Sequence, residues 1–242
     1  MNLSAKQKNN IQIIMNRLVA KGITNPYAQA AVLSIVGKES GFIPQNENLN
    51  YSAARLLQVF PSTIKTPAQA NALANKPELI ANTIYGGRYG NAANEGYKYR
   101  GRGYNQITFK DTYRNVGTAI GKDLVANPDL LLDPTIAADA MIVYFLKRIK
   151  LYYPSTDINK IKSLNDSLTV FYNANAGGPG KHLRDTTGGY DKAKNSINDL
   201  YTLVNNNKAA TGGGLFFLIL TLLAIAKRET ISNWINKQLK KS

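Results

Sequence analysis

Two glutamates eight positions apart, Glu39 and Glu47, stand in unlike sequence surroundings. Glu39 lies in Gly37-Lys38-Glu39-Ser40-Gly41-Phe42, directly after an apolar run from Ala28 to Val36. A carboxyl at the C-terminal end of a buried helix is disfavoured as an anion by desolvation and by the partial negative charge of the helix end. Its pKa is therefore expected to rise toward that of a working general acid, with Lys38 opposing the rise if it lies close. Glu47 falls in Asn46-Glu47-Asn48-Leu49-Asn50-Tyr51-Ser52, a stretch rich in amides, where a carboxylate stays hydrated and ionised as a base or electrostatic stabiliser should. Such a pair suits glycoside hydrolysis. A separation of roughly 6.5 to 9.5 Å would leave room for a water and predict inversion at the anomeric carbon.

A third segment, Tyr99-Arg100-Gly101-Arg102-Gly103-Tyr104-Asn105-Gln106-Ile107-Thr108, places two arginines, two glycines, two tyrosines and two amides in ten positions. Glycines allow close backbone approach, aromatic faces stack on sugar rings, and amides read hydroxyl and N-acetyl groups, so this composition describes a saccharide groove. An arginine-glycine stretch can also bind nucleic acid. This one is short and flanked by helical signals, and no nucleic-acid partner is expected.

The elements that must hold these residues read as mainly α. Ile11, Ile14, Met15 and Leu18 recur at helical spacing, ending near Lys21-Gly22. Asn25-Pro26 starts a second helix that is apolar nearly all round and stops at Ser40-Gly41. Thr66-Pro67, Lys76-Pro77 and Asp133-Pro134 give further starts, and Gly86, Gly121 and Gly188 mark ends. A few short strands are expected between Tyr97 and Thr108.

The chain divides by composition into a domain over residues 1–204, a flexible linker over 205–214 containing three glycines, a hydrophobic segment over 215–226 and a basic amphipathic tail over 227–242. Counted from Ala209, the uncharged stretch is 18 residues. At about 1.5 Å per residue it reaches roughly 27 Å against a hydrocarbon core near 30 Å, so membrane insertion is expected if the glycines join the helix. Ile231, Trp234, Ile235 and Leu239 share one face of the tail, which suits an anionic surface. The first ten residues lack an apolar core, so no cleavable signal peptide is expected.

The formal charge is +15, from 30 Lys+Arg against 15 Asp+Glu, and favours polyanionic partners such as cell wall or anionic membrane. The chain has no cysteine, which excludes thiol nucleophiles and thiolate metal sites, and its one histidine, His182, makes no metal site alone and is expected at the surface. No metal or cofactor is expected.

Taken together, Glu39-Ser40-Gly41-Phe42, Glu47-Asn48-Leu49-Asn50-Tyr51-Ser52-Ala53 and the 99–108 segment resemble the family 19 glycoside hydrolases, and within them the phage endolysin branch. Asn82-Thr83-Ile84-Tyr85-Gly86-Gly87-Arg88-Tyr89-Gly90-Asn91 and the stretch from Asp123 to Leu131 add to the likeness, which covers roughly residues 25–200. The resemblance implies a two-lobed, lysozyme-like, mainly helical domain. It carries the acid role onto Glu39, the base role onto Glu47 and placement of the attacking water onto Thr108. Tyr51 and Ser52 belong to the matched motif as substrate-binding positions, Tyr104 and Gln106 match groove-lining ones, and Arg102 would brace the cleft. Asn175 resembles a family Asn-Gly-Gly position with an inserted residue, so Asn173 competes with it. The family often has His where Lys38 stands.

The function this implies is inverting cleavage of β-1,4 linkages in bacterial peptidoglycan by a phage lytic enzyme, with chitin as the family's other substrate. Lytic transglycosylase activity, and a non-catalytic wall-binding virion protein, are the alternatives. The expected setting is a virion membrane or host cell envelope, with peptidoglycan, anionic membrane (through residues 215–242) and other virion proteins as partners.

Overall fold

The structure is a computed structural model that describes residues 2–210. Every expected proline start is a helix start. The elements are α1 (Ala5–Ala20), α2 (Pro26–Ser40), β1 (Gln45–Asn46), α3 (Ala53–Val59), α4 (Pro67–Leu73), α5 (Pro77–Tyr85), β2 (Arg102–Gly103), α6 (Lys110–Ile120), α7 (Pro134–Tyr152), α8 (Leu164–Ala176) and α9 (Gly189–Ala210), with short 3-10 turns at Pro128–Leu132 and His182–Arg184.

Helix α2 is the centre of the larger lobe. Asn25 caps it by accepting from the Tyr27 amide, Pro26 begins it, and Gly41 ends it in a left-handed conformation that suits glycine. Every residue from Ala28 to Val36 is buried, because α2 packs against α8 and α9 and also meets α1. A helix buried on all sides needs no amphipathic stripe, and its sequence has none. Gly37 permits the Phe42 ring to fold back beneath it, since a Cβ there would lie 2.8 Å from the ring.

A second core gathers Leu49, Leu56, Ile64, Ile80 and Ile84 beneath α3, α4 and α5. A third joins Tyr99, Ile107, Tyr113, Val116 and Leu131 around α6 and one side of α7. The expected mainly α, two-lobed class is therefore what the described residues form, with the α2-centred core on one side and the α3–α5 core on the other. The strand content is a two-residue antiparallel ladder, Gln45 opposite Gly103 and Asn46 opposite Arg102. The sequence places a strand in the 97–108 region but offers no sign of its partner at Gln45.

The segment expected as a linker over 205–214 begins as helix: α9 continues to Ala210. Val204 is fully buried and the Asn207 amide reaches Met15, and the asparagine run contains no helix breaker before the glycines. Among the described residues no helix is long and apolar enough to cross a membrane. The segments at 215–226 and 227–242 lie outside the described residues.

Candidate active site

Glu39 occupies the last turn of α2 and its side chain is 22% exposed. Two groups from different elements converge on Oε1: the Lys38 ammonium at 3.0 Å and the Asn175 side-chain amide, donating at 3.1 Å from the end of α8. Lys38 also lies over the Tyr172 ring, 5.9 Å from its centre. Tyr172 donates to Asp185 at 2.6 Å, and burial, followed by that bond and the negative charges of Asp185 and Glu39, pushes its phenol well above the usual range. Asp185 is held well below the ordinary carboxylate range, chiefly by hydrogen bonds from Thr187 and Tyr172 and from the Tyr190 backbone amide.

Geometry gives the two asparagines different partners. Asn173 is 1% exposed, donates to the Tyr153 hydroxyl, and accepts from the His182 backbone amide at 2.9 Å, with the His182 ring nitrogen 3.0 Å away. It fastens the loop that follows α8, whereas Asn175 touches the acid. His182, expected at the surface, is half-buried against the Tyr190 ring for the same reason.

Glu47 belongs to the other lobe. Its Oε1 accepts from the Tyr85 hydroxyl at 2.7 Å and its Oε2 from the Gly101 amide at 3.2 Å, while its own backbone amide donates to the Gly101 carbonyl at 2.8 Å. Gly101 is thus tied to both the backbone and the carboxylate of Glu47. A side chain at Gly101 would meet Gln106 Oε1 at 2.7 Å and Glu47 Cβ at 3.3 Å, so the approach needs a glycine. Burial, reinforced by the charge of Glu47, raises the Tyr85 phenol far above its usual value, so it remains a donor. Tyr51 is raised for the same two reasons, burial first, which places it within electrostatic reach of Glu47; its ring lies edge-on to Phe60.

The turn from Arg102 to Ile107 is closed by two backbone bonds between those residues. Gln106 and Phe109 both have positive φ, 54° and 74°, an uncommon conformation for residues with side chains that is tolerated where surrounding structure over-determines it. Between them the Thr108 hydroxyl donates to the Gln106 carbonyl at 2.9 Å, leaving its lone pairs to accept from a water. The Gln106 amide donates to the Gln45 and Gly103 carbonyls at 3.2 and 3.3 Å. Phe109 packs edge-on against Tyr85, which fixes the ring that holds Glu47.

Three expected substrate contacts are placed elsewhere. Tyr104 has no exposed surface and belongs to the α2-centred core, because the tight 102–107 turn aims it inward. Arg102 is 3% exposed; it pairs with Asp129 at 2.8 Å and donates to the Lys98 carbonyl and the Tyr113 hydroxyl, so it braces the lobe from within. The Ser52 hydroxyl caps α3 by accepting from the Arg55 amide at 3.3 Å. Conversely, Tyr85, Tyr172 and Asp185 were not singled out from sequence. Tyr85 stood within the Thr83-Ile84-Tyr85-Gly86-Gly87 stretch at a helix end, the one signal that could have found it. Among the described residues no group of three or more His, Asp or Glu side chains is placed to hold a metal ion.

Residues 72–166 match the glycoside hydrolase family 19 model, described as chitinase class I. The matched segment, less than half of the chain, is similar to that family. It contains Tyr85, Gly101, Gln106 and Thr108, while Glu39, Glu47 and Asn175 flank it. A glycosyl hydrolase family 19 domain-containing protein of Haemophilus influenzae is 44% identical over 117 residues, 47% of this chain, and the chain spans 58% of that relative's length. Among solved structures, chitinase C of Streptomyces griseus is 20% identical with a TM-score of 0.37, over 74% of this chain and 59% of that one. A bacterial family 19 chitinase is 19% identical with a TM-score of 0.38, over 82% and 84% of the two chains.

Proposed function

We propose that this protein is a family 19 glycosidase that cleaves β-1,4 linkages of bacterial cell-wall glycan by inverting acid/base hydrolysis. The observation that carries the reading is the division of two differently held carboxylates between two lobes: Glu39 with Asn175 on the α2-centred core, Glu47 with Tyr85 and Gly101 on the other. Glu39, once protonated, exchanges its pairing with Lys38 for the glycosidic oxygen and donates to it. Glu47, oriented by its two donors, removes a proton from a water that the Thr108 hydroxyl orients. That water attacks the anomeric carbon from the face opposite the departing oxygen. Asn175 holds the Glu39 carboxyl in a fixed rotamer through both states.

The cationic balance of +15 supports an anionic wall polymer as substrate, since it raises the local concentration of polyanions before contact. Incubating the purified full chain with sacculi should release soluble fragments with new reducing ends of inverted anomeric configuration. Anhydro-sugar ends would indicate transglycosylation instead, and undiminished release by Glu39→Gln would remove the acid assignment.

Chitin is a second reading, favoured by the family model's description as chitinase class I. Equal or faster turnover of chitin oligosaccharides than of peptidoglycan strands would select it. A phage lytic role at a membrane, through residues 215–242, belongs to the same proposal. It is tested by liposome flotation of the full chain against a chain ending at Asn207; equal flotation would remove it.

A further inference from the structure

The loop that leaves α8 just after Asn175 lies beside a group of cations that no acid among the described residues neutralises. Arg148, on α7, donates from Nε to the Ala174 carbonyl and from Nη2 to the Tyr152 hydroxyl at 3.4 Å, and its guanidinium lies 5.2 Å from the ring centres of both Tyr144 and Tyr152. Its Nη1 has no partner among the described residues. Gly177, one residue past Ala176, has a φ of 110°, and a Cβ there would meet Arg148 Nη2 and Lys181 Cε, each at 3.7 Å. Arg184 reaches back to the Pro179 carbonyl at 3.5 Å, and Lys181 and Arg184 are exposed.

Among the described residues none of these three cations pairs with a carboxylate. Asp185, the acid nearest in sequence, has its oxygens occupied by Tyr172, Thr187 and the Tyr190 amide, and Glu39 is engaged by Lys38 and Asn175. Exposed lysines alone describe an ordinary solvated face. Arg148 differs: clamped between two tyrosine rings, its fork is already oriented, so little side-chain entropy is lost when an anion binds. Its Nε partner, Ala174, immediately precedes the residue that touches the acid.

We propose that Arg148, Lys181 and Arg184 form an anion subsite beside Glu39, which takes the carboxylates of the lactyl and peptide substituents on a cell-wall glycan. The inference rests on the glycosidase reading above and gives it a substrate class, because a neutral glycan such as chitin presents no anion for these cations to pair with. Guanidinium-carboxylate pairs of this kind form parallel donor bonds, and the two outer cations would gather the stem peptide by charge.

Binding tests this independently of turnover. In the full chain carrying Glu39→Gln, soluble peptidoglycan strands and the same strands with their carboxylates converted to methylamides are titrated by fluorescence anisotropy. The native strands should bind more tightly, with an advantage that shrinks as salt rises. Lys181→Gln with Arg184→Gln should remove most of it, weakening native-strand binding about tenfold while changing the methylamide strands little. Arg148→Gln should add a further loss, and Arg148→Lys a smaller one. Equal affinity for the two strand types, or an advantage that survives the Lys181/Arg184 pair of substitutions, overturns the subsite. Absence of cleavage by the unsubstituted chain, with the binding difference intact, overturns the glycosidase reading and leaves the subsite standing.

Discussion

Asn175 and Glu39 are 136 positions apart in the chain and share a hydrogen bond of 3.1 Å, from the amide at the end of α8 to the carboxyl at the end of α2. Both helix ends stop at the same level because Gly41 and Gly177 each turn the chain away in a left-handed conformation. The acid is thereby fixed by a neighbour whose own helix is buried against α2.

Glu39→Gln should lower turnover about a thousandfold, within the range for loss of a general acid, while leaving the melting temperature nearly unchanged, because the amide replaces a partly exposed carboxyl. Asn175→Ala should cost about tenfold in kcat, with KM little altered. Steady-state kinetics on solubilised glycan, alongside thermal melts, check both; a Glu39→Gln chain that turns over normally contradicts the assignment.

At Glu47 the informative substitutions are its holders. Tyr85→Phe removes one donor to the carboxylate and should reduce kcat about three- to tenfold with the fold intact. Gly101→Ala drives a methyl into Gln106 and against Glu47, and should reduce kcat by more than a hundredfold even where circular dichroism shows a native helix content. Wild-type turnover in Gly101→Ala would show that the Glu47 geometry is irrelevant to rate.

The sequence made the helical frame legible, since proline starts and glycine stops act locally and their meaning survives folding. It also placed Glu39 at the end of a buried helix, because a carboxyl after a run buried on every side is visible as a pattern. Tyr104 and Arg102 misled for a common reason. A segment rich in tyrosine, arginine and glycine states what could line a groove, but the two backbone bonds closing the 102–107 turn decide which side chains face in. Tyr172 and Asp185 were illegible because their meaning lies in a contact with Lys38 and Tyr190 that only tertiary packing creates.

Arg102 should therefore behave as an internal brace. Arg102→Leu should cost about 2 to 4 kcal/mol, since it leaves the Lys98 carbonyl and the Tyr113 hydroxyl short of a buried donor. Denaturant titration measures this loss, and a normal unfolding midpoint with a raised KM would instead return Arg102 to the substrate.

Asp185 gives the fold a pH signature. Its folded pKa is depressed, so its contribution to stability is present above the ordinary carboxylate range and is lost progressively as pH falls from that range through the lower, folded value. Asp185→Asn should melt below the wild type at pH 7, and the gap should narrow in strong acid. Thermal melts across that range decide; a constant gap would mean that the charge of Asp185 contributes nothing.

The two carboxylates are mounted with very different rigidity. Glu39 rides on a rod enclosed by three other helices, whereas Glu47 follows a two-residue ladder and is held through Gly101 and the Tyr85 hydroxyl. Under the proposed glycosidase reading, any adjustment that accommodates a sugar chain should fall on the weaker mounting, with Glu39 as the fixed reference and Glu47 moving to meet it.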